Sequence, residues 1–276
     1  QQAHNYLKTG KLGNIRLVKC WSYQGWMEPV PVKPDGMPPA GVDYDMWLGP
    51  APKRPFNPNR FHFNFRWFWD YAGGLMTDWG VHEIDIALFF MGVTAPKSII
   101  ASGGKLAYPD DASETPDTLQ AVFEYEKFNM LWEHATGIDN GNYGKTEGIA
   151  FIGNHGTMVV NREGWEIIPE TQRNAEGVLM YEIEDLPDQR RGNNANYLAD
   201  HHKNFVAAMK ANDASLLKCG IETGAIAAIN AHMGNVAFKT GRKVYWDADS
   251  GMFKNDPEAN ALIKAQYQNG WVLPKV

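Results

Sequence analysis

Asp78, His82 and Asp85 follow a Gly73-Gly74 break at spacings i, i+4 and i+7. At about 100° per residue, these three side chains fall within roughly 60° of one another on a helix. Their neighbours Leu75, Met76, Ile84, Ile86, Ala87, Phe89 and Phe90 are apolar, so the helix is expected to be mostly buried. Two carboxylates and an imidazole on one stripe of a buried helix are costly unless paired, which marks a candidate site. An Asp four residues before a His can hold the ring in one tautomer, as general acid–base chemistry requires. The same pair also serves elsewhere as simple helix packing. As a metal site the pattern is a poor match. Asp-x3-His-x2-Asp is not His-Glu-x2-His, and no nearby Cys or third His completes a ligand set.

The segments around this helix must position it. Residues 1–9 read as the end of a helix that stops at Gly10. Residues 14–23 have strand character, and 25–41, with five prolines, form a long irregular loop of the kind that is more often functional than idle. A helical turn at 43–48 closes at Gly49-Pro50, and 54–71 is a loop dense in arginine and aromatic residues. The helix bearing His82 runs to about Met91 and stops at Gly92. After it, residues 98–105, 118–125, 128–135, 147–152, 157–161 and 165–168 read as short strands. Helices are expected at 196–211, with Leu198, Phe205, Val206 and Met209 on one face, and at 221–239, whose Ala and Gly content suits close packing on the sheet. Residues 242–246 read as a last strand. The expected fold is one α+β domain over 1–276, with a largely antiparallel open sheet of about six to eight strands and helices packed on one face.

Composition excludes several classes. The 276 residues are 44% hydrophobic and 21% charged, an ordinary globular balance. A net charge of −6 argues against a nucleic-acid backbone as the main partner. No run of 18 apolar residues is present, so no membrane span is expected. Cys20 and Cys219 stand far apart and indicate no disulfide framework. The chain opens at Gln1 without a Met or a signal peptide, which points to a cut boundary; a cytoplasmic and a periplasmic origin both stay open. The aromatic residues clustered between Trp47 and Tyr71 would make either a stacking surface for sugar rings or a core.

Other motifs are missing. No Gly-x-Gly-x-x-Gly and no Gly-x-Ser-x-Gly occur. Gly144-Lys145-Thr146 imitates the end of a phosphate loop, but the required upstream glycine position is Asp139. His134, in a strand beside Trp132 and Glu133, either faces a site or is a satisfied sheet histidine. His201 and His202 are adjacent on a helix, where at most one points inward, and His4 and His155 carry no signal.

Several runs together resemble the glucose–fructose oxidoreductase/inositol dehydrogenase (Gfo/Idh/MocA) family, in particular its secreted or periplasmic-type dehydrogenases. These are Tyr44-Asp45-Met46-Trp47-Leu48-Gly49-Pro50-Ala51-Pro52, Phe56-Asn57-Pro58 and the stretch from Trp67 to Asp85. Gly153-Asn154-His155-Gly156-Thr157, His202-Lys203-Asn204-Phe205 and Gly241-Arg242-Lys243-Val244-Tyr245-Trp246-Asp247 continue the likeness. The resemblance implies that His82 is the acid–base residue and Asp78 its catalytic partner. It also implies a C-terminal α/β domain supplying substrate and dimer contacts, with a homo-oligomer forming through the open sheet. The family's N-terminal Rossmann domain, which binds NAD or NADP and carries a Glu-Lys-Pro lysine, is absent from these residues; it would need roughly 120 to 150 residues upstream. No cofactor is therefore expected to bind this chain alone.

Three functions follow. The first is the substrate-binding and catalytic-His domain of an NAD(P)-dependent sugar or cyclitol oxidoreductase, inert in isolation. In it Arg66, Trp69, Asp70, Tyr71 and Asp85 would contact the polyol, the first four from the aromatic loop. The second is a domain of a glycoside-cleaving or isomerising enzyme that uses NAD transiently. The third is a non-catalytic sheet domain for dimerisation or carbohydrate binding.

Overall fold

Alternation decides the sheet. In the segment Thr118–Glu124, Leu119, Ala121 and Phe123 are fully buried, while Thr118, Gln120, Val122 and Glu124 between them are not. A side-chain period of two sends one set to the core and the other to the opposite face. The computed structural model describes residues 1–187, 190–191 and 197–275, with the backbone alone at 190, 191 and 197.

In chain order, α1 (Gln2–Lys8) leads into β1 (Leu17–Gln24), and a long loop carries α2 (Tyr44–Leu48) and two short 3-10 helices, Pro58–Arg60 and His62–Trp67. Then come α3 (Leu75–Asp78), α4 (Gly80–Met91), β2 (Ser98–Gly104), β3 (Thr118–Glu124) and β4 (Asn129–Thr136). β5 (Glu147–Ile152), β6 (Gly156–Asn161), β7 (Gly164–Pro169), β8 (Thr171–Arg173), β9 (Leu179–Tyr181) and β10 (Arg190–Arg191) follow. The chain closes with α5 (Tyr197–Ala211), α6 (Ile221–Thr240), β11 (Val244–Asp247), β12 (Met252–Phe253) and α7 (Pro257–Ala261).

The main sheet has the order β10-β7-β6-β5-β1-β4-β3-β2-β11-β12. Every neighbouring pair is antiparallel except β1 and β4, which run parallel in the register Leu17↔Asn129 to Gln24↔Thr136. β8 and β9 form a separate hairpin. The sheet is thus larger than the expected six to eight strands. All eight strands read from the sequence belong to it. The additions, β10 and β12, are two residues long, too short for any alternation to show. For the same reason 242–246 is not the last strand, since β12 pairs back on β11.

One face of the sheet is closed by helices. Val18, Cys20, Ile99, Phe123, Met130, Trp132, Ile149 and Phe151 are buried beneath α4 and α6, and each large side chain contributes about 1.5–3 kcal/mol by leaving water. α6 approaches closely, as its Ala and Gly content suggests, but its glycine meets a helix. A Cβ on Gly234 would lie 2.7 Å from the Met76 sulfur of α3. The other face is only partly covered: Trp21, Ala150 and Val159 are buried there beside the loop that carries Tyr143, while Leu17, Ile100 and Ile168 remain exposed. α5 departs from the expected packing: Leu198, Phe205, Val206 and Met209 are all exposed, and its expected first residue, Asn196, lies outside the described residues.

Candidate functional site

Two glycines aim the stretch that carries Asp78 and His82. Gly74 adopts φ 65°, a left-handed conformation in which a side chain is strained, and a Cβ there would lie 2.6 Å from Thr115. A Cβ on Gly73 would lie 2.5 Å from the Asn235 amide, whose Nδ2 donates to the Gly73 carbonyl at 2.8 Å. The start of α3 is thereby pressed onto α6. Trp79 separates α3 from α4 but keeps helical dihedrals (φ −86°, ψ −36°), so Asp78, His82 and Asp85 still share one stripe.

The phase of α4 differs from the sequence expectation. The face turned to the sheet carries Gly80, Glu83, Ile84, Ala87 and Leu88, so the buried carboxylate is Glu83, while Asp78 and Asp85 are half-buried at the edge and His82 is exposed. Glu83 is 1% exposed and its Oε1 has no hydrogen-bond partner. Burial, then the neighbouring Glu147, pushes its carboxyl up to about 8, against the pull of Arg162.

Asp78 is held by Arg66, whose Nε donates to Oδ1 at 3.1 Å. The guanidinium lies over the rings of Phe63 and Phe65 and donates from Nη1 to the Phe63 carbonyl at 3.0 Å. His82 meets the Trp79 ring edge to face, with centroids 6.2 Å apart. Among the described residues no hydrogen bond reaches either of its ring nitrogens, and none joins it to Asp78. Burial first, then the Arg162 charge, holds its pKa below the ordinary histidine value, while Asp78 and Asp85 push it up. Asp85 is itself raised by burial, with His82 opposing. An exposed imidazole with free nitrogens and a lowered pKa can take a proton from a hydroxyl brought beside it.

The remaining expected residues form a second place. Trp69, Asp70 and Tyr71 line a cleft of about 510 Å³ with Trp47, Phe65 and Gln266. Asp70 Oδ2 accepts from Arg54 Nη1 at 2.8 Å, and Glu114 accepts from both Arg54 and the Trp69 backbone N–H. The Lys239 ammonium sits 3.8 Å from the centroid of the Trp69 ring. Tyr71 packs against Trp47, its buried hydroxyl has no partner, and burial pushes its pKa up to about 12. Arg66 thus joins Asp78, whereas Trp69, Asp70 and Tyr71 line the cleft, with Trp69 alone of the three packed against Phe238 and Lys239 of α6.

His134 is a satisfied core histidine. Its Nδ1 accepts from Trp132 Nε1 at 3.1 Å, its Nε2 faces the Pro116 carbonyl at 3.2 Å, and burial drives its pKa down to about 4. Among the described residues no cluster of His, Cys, Asp and Glu could hold a metal ion, and no helix is long and apolar enough to cross a membrane. The one Gly-Gly turn that opens a helix at the site is filled by Thr115 and Asn235, which leaves no cradle for a phosphate. Sequence reasoning missed Glu83, Glu147 and Arg162. Only Glu83 had a local signal, its place one residue after His82.

A family model described as "Oxidoreductase family, C-terminal alpha/beta domain", of the Gfo/Idh/MocA type, matches residues 19–273. No curated protein matches the chain. Among solved structures, the chain is similar to levoglucosan dehydrogenase in complex with NADH and levoglucosan (15% identity, TM-score 0.55, covering 88% of this chain and 62% of that one). It is also similar to the WlbA dehydrogenase from Bordetella pertussis in complex with NADH and UDP-GlcNAcA (13%, 0.52, 90% and 60%). A third likeness is to an oxidoreductase from Thermotoga maritima (16%, 0.51, 88% and 57%). At these identities the likeness shows the fold alone. The chain spans about three-fifths of the length of these structures.

Proposed function

The chain belongs to the Gfo/Idh/MocA oxidoreductase family, as its C-terminal alpha/beta domain, and from that premise we propose that it is the substrate-binding and acid–base part of an NAD(P)-dependent sugar or cyclitol oxidoreductase. The observation that carries this proposal is His82, a solvent-exposed imidazole with no hydrogen bond to either ring nitrogen, flanked by Asp78 and Asp85. In this proposal His82 accepts the proton of the hydroxyl being oxidised. Asp78, held by Arg66, and Asp85 stabilise the imidazolium that forms, because each carboxylate favours the charged ring. The cofactor, NAD or NADP, is held outside these residues, and the chain alone is inert. Trp69, Asp70 and Tyr71 contact more distant parts of the sugar. Two of the similar solved structures hold sugar ligands, levoglucosan and UDP-GlcNAcA, which supports the choice of substrate class. The partly covered sheet face, with Leu17, Ile100 and Ile168 exposed, supports a homo-oligomer through that face.

The test is a titration of NAD(H), followed by nicotinamide fluorescence, against this chain and against a form extended upstream to include the nucleotide-binding domain. Binding by the extended form only, with sugar-dependent reduction of NAD or NADP, is the expected result. Tight binding by the 276-residue chain itself, or by neither form, overturns the proposal.

A further inference from the structure

Around His82 the structure gathers a charged cluster that the proposed chemistry leaves unused. Glu83 on α4 feels the charge of Glu147 on β5, and Glu83 Oε1 and Glu147 Oε2 are both buried without a hydrogen-bond partner. Glu147 belongs to the helix-covered face, opposite Ser22 in the β1–β5 register. Two such buried carboxyl groups need a counter-charge or a proton. The cation that faces both is Arg162, at the turn between β6 and β7. The Asn161 side chain fixes that turn by accepting from the backbone N–H groups of Glu163 and Gly164, at 2.9 and 3.2 Å. The Arg162 guanidinium carbon lies 4.6 Å from the centroid of the Trp79 ring, and that ring meets His82 edge to face.

We propose that Arg162, far from the Asp78/His82 helix in sequence, is a positioning residue for His82, clamping the Trp79 ring and setting the charge beside the imidazole. The proposal rests on the acid–base role given to His82 above. An arginine suits this place because its flat guanidinium stacks on an indole while its charge answers the carboxyl pair. The charged groups facing His82 are Asp78 from α3, Asp85 from α4 and Arg162 from the sheet turn, so among these charges the cation alone opposes protonation, after burial itself. The groups facing Arg162 are Glu83 and Glu147, with Glu163 and Lys145 beyond Glu147. Arg162 is partly in water, which weakens its field without cancelling it.

The test follows the His82 ring by proton NMR across a pH titration of the 276-residue chain, its resonance identified with His82→Gln. Position 162 is an exposed turn, so Arg162→Gln and Arg162→Lys should both fold, and amide dispersion checks that they do. The expected result is an upward shift of the His82 midpoint in Arg162→Gln and a midpoint near the native one in Arg162→Lys, which keeps the charge. An unmoved midpoint in the Gln variant, or equal shifts in both variants, overturns the proposal. In the extended, cofactor-binding form, Arg162→Gln should lower kcat/KM at pH 6 relative to pH 8 by about two- to fivefold. If that form oxidises no sugar while His82 still follows Arg162, the function proposed above falls and the coupling stands.

Discussion

His82 and His134 both have pKa values lowered by burial first, yet their surroundings differ. His134 lies on β4 inside the core, with both ring nitrogens facing partners, Trp132 and the Pro116 carbonyl. His82 lies near the α3–α4 junction, exposed, with both nitrogens free and charges of both signs nearby. Burial alone therefore does not mark a reacting group. What separates the two is unspent hydrogen-bonding capacity at an exposed position, and of this pair only His82 has it.

The sharpest way to break this comparison is to delete each function separately. His82→Ala in the extended form should lower turnover by about 10² to 10⁴ and leave stability within about 0.5 kcal/mol, read from steady-state rates and urea unfolding. An unchanged rate would put His82 in the same class as His134. The core histidine should act through pH instead. Its native pKa of about 4 lies below the unfolded value of 6.5, so the unfolded state binds more protons between those values. Stability should fall as pH drops from 6.5 towards 4, by up to about 3 kcal/mol, and His134→Gln should flatten that slope in urea melts. Glu83 works in the opposite sense. Its raised pKa contributes stability that is full below 4.5 and is lost as pH rises through about 8. The smallest effect belongs to the aromatic cleft. Trp69→Ala should raise KM by about five- to tenfold with kcat unchanged, since its ring is proposed to hold a remote part of the sugar. A fall in kcat at unchanged KM would move Trp69 to the reaction stripe.

Much of the fold was legible because the strands alternate. Leu119, Ala121 and Phe123 announce β3, and the Glu126-Lys127 and Asn154-His155 corners announce the β3–β4 and β5–β6 connections. The parallel β1–β4 pairing was not legible, because strand order is settled by long-range packing rather than by local pattern. β8 and β9 were missed because all six of their residues are exposed, so they have no buried face. In the site, the i, i+4, i+7 spacing placed Asp78, His82 and Asp85 on one stripe. Which stripe of α4 faces the sheet is decided by Gly80, Glu83, Ile84 and Ala87 together, and that choice buried Glu83 in place of the other three. Arg162 could not be found from spacing at all, since only the β6–β7 turn brings it to Trp79.

The position of β1 has a consequence for how the molecule is made. It lies in the middle of the sheet, between β4 and β5, yet it precedes every other strand of that sheet along the chain. A nascent chain must carry Leu17–Gln24 unpaired until residues 129–152 have left the ribosome. Sheet closure then waits on a long loop, which slows folding and leaves an apolar edge open to the wrong partner. The same strand is a keel. Without it, β10-β7-β6-β5 and β4-β3-β2-β11-β12 would be two separate ribbons with nothing pairing them.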